Sequence, residues 1–299
     1  MKENDEYAAK VNLQTDQSVN YPRTENKMRD HVTVVCMRWG NPFSKDYVKV
    51  LYQGVKRNLS CDFDFVCLSD DLEPICDGVC VLPIPELKMP REKWAVGFWP
   101  KLTVFKPGLF PPNQPVLFLD LDVLILSSLD PFIELLQKKR GLHMLREWNP
   151  ALWSLVPVRF RPDRGGQSSL FVFYPEEQAG IYDQFMKEDA TGVITTAHID
   201  QLFISKTCHR LPYLPHNWAV SFKKHCVHYY PLNLVFKKIR KPGKAKVVIF
   251  HGKPKPTDLI RDDQTRWGTD RKFGYGPVDW VKSYWTAGIS DDSRGGTKA

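Results

Sequence analysis

The sequence predicts an α/β fold in which helices cover both faces of a mostly parallel sheet. Three observations support this fold class. Apolar runs of strand length alternate along the chain with segments of helical periodicity, the pattern expected of a parallel sheet. The composition is that of a globular protein, with 42% hydrophobic and 25% charged residues. The length of 299 residues accommodates one large domain.

We expect a single domain over residues 30–288, between a flexible polar leader over residues 1–29 and a flexible tail over residues 289–299. The N-terminal segment has no apolar core of the kind that a secretory signal needs. No run of the chain approaches the ~18 apolar residues of a membrane helix. These features predict a cytoplasmic protein, and they leave open a peripheral attachment to the inner face of the membrane.

The first half of the chain alternates between strand and helix signals. Short runs rich in β-branched and other apolar residues predict strands at 31–37, 63–68, 79–84 and 116–119. After the first strand, Tyr47, Val48 and Leu51 lie on one face of a helix predicted over residues 46–59. A further helix is predicted to begin at Pro100, because proline is favoured in a first helical turn.

The second half continues the alternation. Asp130 and Pro131 have the residue types of a helix cap and a first helical position, and they predict a helix over residues 132–138. Apolar periodicity predicts two later helices, at 176–186 and 198–205. The remaining strands are predicted at 142–145, 169–174 and 247–250. Because ligands of such sheets bind at the carboxyl ends of strands, residues that directly follow a strand are the candidates for a site.

The chain is basic, with a formal net charge of +8 and a pI of about 9.0. Much of the excess lies late in the chain, at Lys223, Lys224, Lys237, Lys238, Arg240, Lys241, Lys244, Lys246, Lys253 and Lys255. Such a surface suits phosphorylated donors, polyanions or an anionic membrane, and it is equally typical of a solvated basic face. The seven cysteines are odd in number and form no CxxC pair, which argues against a disulfide framework and a zinc finger.

The sharpest motif is VLFLDLDVLIL over residues 116–126, in which two carboxylates interrupt an apolar stretch. Residues i and i+2 of a strand point to the same side, so Asp120 and Asp122 can converge. Two like charges this close repel each other, and a divalent cation would neutralise both. Carboxylate oxygens suit Mg²⁺ or Mn²⁺ shared with a diphosphate. The structural alternative is a strand that ends in a solvent-exposed acidic turn.

A second motif, KVVIFHGKPKP over residues 246–256, follows a predicted strand with His251. An imidazole can serve as a further metal ligand. Gly252 lets a ligand approach the backbone closely, and Lys253 and Lys255 can hold phosphate oxygens. The alternative is a surface loop with a hydrogen-bonded histidine.

These motifs, in this order, resemble the GT-A glycosyltransferases of the glycogenin and lipopolysaccharide galactosyltransferase type, glycosyltransferase family 8. That family places a DxD after its fourth strand and a late HxxGxxKPW-like motif that supplies a third metal ligand. The segment PKLTVFKPGLFPPNQPVLFLDLDVLIL resembles the lysine-leucine helix, loop and DxD strand of the family. Over residues 31–256 the resemblance implies a GT-A (Rossmann-like) fold, a UDP-linked sugar donor, and Mn²⁺ or Mg²⁺ bound by Asp120, Asp122 and His251.

The resemblance also implies individual roles. Asp200 and Gln201 match a pair that contacts the transferred sugar, and they are the expected catalytic residues. The expected donor-binding residues follow strands or belong to the motifs, and they are Cys36, Arg38, Trp39, Asp70, Lys101, Leu121, Ser169, Gly252, Lys253 and Lys255. The sugar would pass to a hydroxyl of a saccharide, glycolipid or protein, with retention of its anomeric configuration. No nucleic acid partner is expected.

Three other functions stay open at the level of the sequence. FLDLDVL also resembles the nucleophilic motif of haloacid-dehalogenase-type phosphatases, although that family carries it on its first strand. A non-catalytic basic module would bind polyanions through the lysine-rich segment 223–246. A nucleotidyltransferase would share the architecture, but it would need an early glycine-rich phosphate loop, which residues 39–42 do not resemble.

Overall fold

A computed structural model describes residues 31–149, 153, 156–188, 190–208 and 211–294. The predicted leader over residues 1–29 lies outside the described residues. The strands are, in chain order, β1 (Val32–Arg38), β2 (Phe63–Ser69), β3 (Val79–Pro83), β4 (Val116–Leu119), β5 (Val123–Ile125), β6 (His143–Arg146), β7 (Gly166–Phe173), β8 (Ala219–Ser221), β9 (Val247–Ile249), β10 (Arg266–Thr269) and β11 (Lys272–Tyr275).

Helices alternate with these strands over most of the chain. The α-helices are α1 (Lys45–Asn58), α2 (Trp94–Gly97), α3 (Asp130–Lys138), α4 (Pro175–Lys187), α5 (Ala190–Ala197), α6 (Asp200–Thr207), α7 (Leu232–Val235) and α8 (Asp279–Arg294). A 3-10 helix covers Trp99–Phe105, where the sequence predicts a helix from Pro100. Phe222–Cys226 forms a single wide helical turn.

Six strands form the central sheet, in the order β3-β2-β1-β4-β7-β6. Strand β1 pairs in parallel with β2 and β4, and β2 pairs in parallel with β3. Strand β7 runs antiparallel to both β4 and β6. The predicted mostly parallel α/β fold is therefore confirmed. The chain builds the sheet outward from β1 to β3 and then returns to place β4 on the other side of β1, which makes the carboxyl ends of β1 and β4 the topological switch point where such sheets bind ligands.

The side-chain alternation of the central strands separates two core layers. Val34 and Leu117 belong to the first layer, together with residues of α1, α3 and α8. Val35, Phe118 and Phe171 belong to the second layer, which is covered by the 3-10 helix, α4 and α6. Helices therefore pack on both faces of the sheet, as the sequence predicts, and the strand ends are left to carry the polar residues.

A second sheet, in the order β5-β9-β8, continues from the aspartate motif. Strand β4 ends at Leu119 and β5 begins at Val123, so both aspartates lie in the link between the two sheets. Strand β9 runs antiparallel to β5 and pairs Ile249 with Val123. This pairing brings the late motif beside the aspartates, although the two motifs lie far apart in the sequence.

The C-terminal helix α8 packs against α1 and closes the first core layer. Its Trp285 is buried there, and the Tyr284 hydroxyl accepts a hydrogen bond from the Ile125 N–H at 3.1 Å. The predicted domain boundary at residue 288 falls within this helix, which includes residues 289–294 of the segment predicted as a tail. Among the described residues, no helix has both the length and the apolar character needed to cross a bilayer.

Candidate active site

Asp120 and Asp122 lie in the link that follows β4, at the switch point of the central sheet. The Asp120 N–H donates to the Ser169 carbonyl at 2.9 Å, which fixes the link against β7. Between the two aspartates, Leu121 is only 4% exposed and packs in the first core layer. The Leu121 side chain is therefore a core residue, which leaves its backbone for the predicted contact with a donor, and that contact stays a prediction.

Lys101 joins Asp120 to Asp200 in a buried charged cluster. Its Nζ lies 2.9 Å from Asp120 Oδ1 and 3.7 Å from Asp200 Oδ2. It also donates to the Ser168 carbonyl and hydroxyl, each at 3.2 Å, and Ser168 Oγ donates to Asp200 Oδ2 at 2.6 Å. The structure thus brings together three residues that the sequence places in one site, and it ties them to β7 through a serine.

The electrostatics of this cluster favour a bound cation. Burial lowers the pKa of Lys101, but the charges of Asp120 and Asp200 outweigh burial and raise that pKa, so the ammonium stays charged. Burial raises the pKa of Asp200, and Lys101 and Ser168 offset part of the rise. A single ammonium faces two carboxylates here, with Asp122 nearby as a third acid.

Asp122 is buried and receives its hydrogen bond from the Lys255 ammonium. Burial and the Asp120 charge outweigh the opposing effect of Lys255 and raise the pKa of Asp122 to about 6. The Lys255 backbone is held by its own N–H, which donates to Asp258 Oδ2 at 2.8 Å. Its Nζ also lies 5.0 Å from the centre of the Phe43 ring. The late motif therefore places the Lys255 ammonium in direct contact with Asp122 of the aspartate motif.

His251 follows β9 at the same edge of the small sheet. Its Nε2 lies 2.6 Å from Ser221 Oγ, and its ring stacks on Trp148 at a centroid distance of 5.6 Å and an interplanar angle of 21°. Burial, together with the charges of Lys223 and Lys224, lowers the pKa of His251 to about 4. The imidazole is therefore neutral near neutral pH, which is the form that can coordinate a metal.

Asp120, Asp122 and His251 are not assembled as a three-ligand metal site. Over the part of the chain that the structure describes, no three His, Cys, Asp or Glu side chains form a group that could hold a metal ion. The predicted triad stays a prediction, and in the structure each of its members has a lysine or serine partner. The two carboxylates nevertheless fit a divalent cation, since the Lys255 ammonium already places a positive charge on Asp122 and the three acids Asp120, Asp122 and Asp200 outnumber the two lysines.

The end of β1 supplies three of the predicted donor-binding residues. Cys36 is fully buried, its thiol forms a hydrogen bond with the free thiol of Cys67, and burial raises the pKa of Cys36 well above its usual value. The Cys36 side chain therefore belongs to the core, and the predicted contact of this residue with a donor stays a prediction. Arg38 and Trp39, which follow it, are only partly buried, and Trp39 meets Trp94 edge-on at 6.0 Å.

Polar contacts order the loop after β1 beside the end of β2. Arg38 Nε donates to the Phe43 carbonyl at 3.1 Å, and its Nη1 lies 3.1 Å from Asp71 Oδ2. Asp70 accepts the Gly40 N–H at 3.0 Å and pairs with Arg91. Arg38, Trp39 and Asp70 therefore share one rim of the switch point, as the sequence predicts for neighbouring parallel strands.

The other predicted residues occupy varied positions around the cluster. Ser169 is buried and its Oγ accepts from Gln167 Nε2 at 2.5 Å. Gly252 has a φ of 69°, a left-handed conformation that glycine adopts without strain. Lys253 is exposed beside it, and Gln201 is partly exposed in the first turn of α6.

Ser168, Ser221 and Trp148 also belong to the site, and of these three residues sequence reasoning missed Ser221. Ser168 precedes the predicted Ser169, and neighbouring strand residues point to opposite sides, so the strand register decides which serine meets Lys101. Ser221 lies in the three-residue β8, which has no recognisable pattern of its own. Trp148 had the signal of a flat ring that could stack on a sugar, but its partner is His251.

Comparison with known proteins rests on structure. No family model and no curated protein matches the sequence. The solved galactosyltransferase LgtC, in complex with donor and acceptor sugar analogues, is 12% identical with a TM-score of 0.52, covering 86% of this chain and 96% of that one. The bifunctional glycosyltransferase WbbM is 15% identical with a TM-score of 0.53, and the match covers 88% of this chain and 50% of that one.

The glycosyltransferase GlyE of Streptococcus pneumoniae TIGR4 is 13% identical with a TM-score of 0.52, covering 90% of this chain and 65% of that one. Identities this low establish the fold and leave the chemistry to the site residues. On topology and on these three likenesses, the chain has the GT-A glycosyltransferase fold.

Proposed function

We propose that the chain is a glycosyltransferase that moves a sugar from a nucleotide-sugar donor to a hydroxyl acceptor. The observation that carries the proposal is the convergence of Asp120, Asp122, Asp200, Lys101 and Lys255 at the carboxyl ends of β4 and its neighbours. Open α/β sheets bind their ligands at this edge. The GT-A fold supports the same chemistry, and the LgtC structure holds donor and acceptor sugar analogues.

Asp120 and Asp122 would hold a divalent cation, Mn²⁺ or Mg²⁺, with His251 as a third ligand once its hydrogen bond to Ser221 is broken. When bound, such a cation stabilises negative charge on a leaving diphosphate. Lys255 would leave Asp122 in that state and turn to a phosphate oxygen. Because lysines bind phosphate as point charges on flexible stems, this change of partner needs only side-chain rotation.

The remaining residues would position the donor. Arg38, Trp39 and Asp70 would contact the base and ribose at the end of β1, with uridine as the proposed base. Asp200 and Gln201 would contact the transferred sugar. In a reaction with retention of anomeric configuration, the acceptor hydroxyl attacks from the face that the diphosphate leaves. Its proton would pass to the departing phosphate oxygen.

The phosphatase alternative loses its support in the structure. Its nucleophilic motif belongs after the first strand of the chain, whereas Asp120 follows the fourth strand. A nucleotidyltransferase remains without a glycine-rich phosphate loop in the sequence.

A donor screen tests the proposal. The intact protein is incubated with a panel of UDP-sugars and GDP-sugars plus Mn²⁺, and release of the free nucleoside diphosphate is measured with water as the acceptor. We expect release from at least one donor, reduced by about 10²-fold or more in Asp120→Asn because the cation that would neutralise the diphosphate loses a carboxylate ligand. The matched control is Glu134→Gln, which removes an exposed acid of α3.

The screen can also overturn the proposal. If no donor released its nucleoside diphosphate, and if the protein hydrolysed p-nitrophenyl phosphate in a reaction that requires Asp120, the site would be that of a phosphatase. Equal release by the wild type and Asp120→Asn would show that another part of the chain acts on the donor.

A further inference from the structure

Residues 229–244, named here the aromatic-basic segment, present a row of exposed apolar side chains. Six of them are between 43% and 75% exposed, and they are Tyr229, Tyr230, Leu232, Leu234, Val235 and Phe236. Single exposed apolar residues are ordinary on protein surfaces, but a contiguous group of this kind marks a contact surface. The group lies outside the site described above, so the proposed reaction does not explain it.

The segment is held in place from beneath, so its exposure is a property of the fold. Asn233 is the buried member of α7, and its Nδ2 donates to the Phe273 carbonyl of β11 at 3.3 Å. The Tyr230 N–H donates to the Arg271 carbonyl at 3.0 Å. Further along, Arg240 donates from its N–H to the Cys226 carbonyl at 3.3 Å. With the backbone anchored at these points, the apolar side chains face outward.

Exposed cations continue the same surface. Directly after Phe236 the chain carries five exposed basic residues, which are Lys237, Lys238, Arg240, Lys241 and Lys244. No Asp or Glu occurs anywhere between residues 201 and 257, so no acid of this stretch neutralises them. The surface therefore combines an apolar row with five neighbouring cations and no acid in the same stretch of sequence. It is complementary to an apolar layer that is bordered by anions.

We propose that the aromatic-basic segment docks the protein on an anionic lipid bilayer. Tyrosine, phenylalanine and aliphatic side chains would enter the boundary between headgroups and acyl chains, while the lysines and Arg240 meet the headgroup phosphates. A polyanion such as RNA would use the cations but would leave Leu232, Leu234 and Val235 in water. The apolar row is therefore the observation that favours a membrane. This inference is independent of the proposed sugar transfer.

Vesicle flotation of the full chain tests the proposal. The vesicles contain phosphatidylcholine alone or an equal mixture of phosphatidylcholine and phosphatidylglycerol. The apolar variant is Val235→Ser with Phe236→Ser, and the charge variant is Lys237→Gln with Lys238→Gln. Both change exposed side chains, so folding is retained. Matched controls elsewhere on the surface are Val96→Ser, which removes an apolar side chain 64% exposed, and Lys88→Gln with Lys93→Gln.

We expect binding to the mixed vesicles and not to phosphatidylcholine alone. The apolar variant and the charge variant should each bind at least about tenfold more weakly, because insertion and charge both contribute to binding at an interface. The control variants should bind like the wild type. If the apolar variant bound the mixed vesicles as well as the wild type does, and if heparin or RNA captured both proteins equally, the proposal would be overturned in favour of a polyanion site. Absence of binding to either vesicle would also overturn it.

Discussion

The Lys255 ammonium donates a hydrogen bond to the Asp122 carboxylate, and the two residues lie 133 positions apart in the chain. The contact exists because β9 pairs with β5, which sets the late motif beside the aspartates. A buried carboxylate needs a compensating charge, and in this structure a lysine provides it. The same carboxylate is a proposed metal ligand. Lysine and metal would therefore compete for Asp122, and this competition can be measured.

Replacing Lys255 should strengthen the binding of Mn²⁺. In Lys255→Met the ion no longer has to displace an ammonium, and we expect about a tenfold lower Kd, or ~1.4 kcal/mol. Free Mn²⁺ is counted by electron paramagnetic resonance at mildly alkaline pH, where the carboxyl groups are ionised. The neighbouring Lys253→Met is the control and should match the wild type. Unchanged or weaker binding by Lys255→Met would contradict the competition.

Replacing Lys101 should destabilise the protein severely. Lys101→Met leaves Asp120 and the fully buried Asp200 without their cation, and breaking a buried pair in this way costs about 3–5 kcal/mol. Urea unfolding measures the loss against Lys88→Met, an exposed lysine whose removal should cost under about 0.5 kcal/mol.

The double variant Lys101→Met with Asp200→Asn should recover part of that stability, because one of the two unpaired charges is removed. A double variant that is no more stable than Lys101→Met would show that lost packing of the lysine stem, and not charge, dominates the effect.

The contact between α1 and α8 depends on a glycine. A Cβ added at Gly54 would overlap the Tyr284 hydroxyl, so Gly54→Ala should cost about 1–3 kcal/mol of unfolding free energy. Tyr284→Phe removes that hydroxyl, and it also leaves the Ile125 N–H without its partner, at about 1–3 kcal/mol. Thermal and urea unfolding of the double variant should show a smaller loss than the sum of the two single losses. Strict additivity would mean that α8 does not pack on Gly54 in solution.

The buried histidines should each lower stability in mild acid, whereas Asp122, whose pKa is raised to about 6, contributes in the opposite direction. Burial lowers the pKa of His143, so the folded state binds fewer protons than the unfolded state, whose histidine titrates near ~6.5. The contribution of His143 to stability is therefore full above about pH 6.5 and falls as the pH drops below that value, by up to ~1.4 kcal/mol per pH unit for each such histidine. His225 and His251 have the same sign of shift. Urea unfolding at two pH values should show a smaller loss in His143→Gln, and an equal loss would exclude His143 as a source.

Much of the fold could be predicted from the sequence because its central strands are apolar runs bounded by clear breaks. Strand β1 differs from its prediction by one residue at each end, and β4 matches it. The elements that were missed are short or weakly patterned. Strands β5 and β8 have three residues each, and their pairing with β9 depends on contacts between distant parts of the chain.

The sequence was enough to identify the motifs of the candidate site, but it did not show which side chains contact one another. An acidic pair within an apolar strand has few physical explanations, so Asp120 and Asp122 stood out. The partners of those acids follow from three-dimensional register, which no local pattern encodes. Strand register turns Cys36 inward and aims Ser168 at Lys101.

The most direct test of the proposed donor site is calorimetric titration with UDP and with GDP, in the presence and absence of Mn²⁺. It is carried out on the intact protein and on Asp122→Ala, with circular dichroism to confirm that both are folded. The proposal predicts UDP binding that requires Mn²⁺ and is lost in Asp122→Ala. Failure of the folded wild type to bind either nucleotide, with or without the metal, would contradict it.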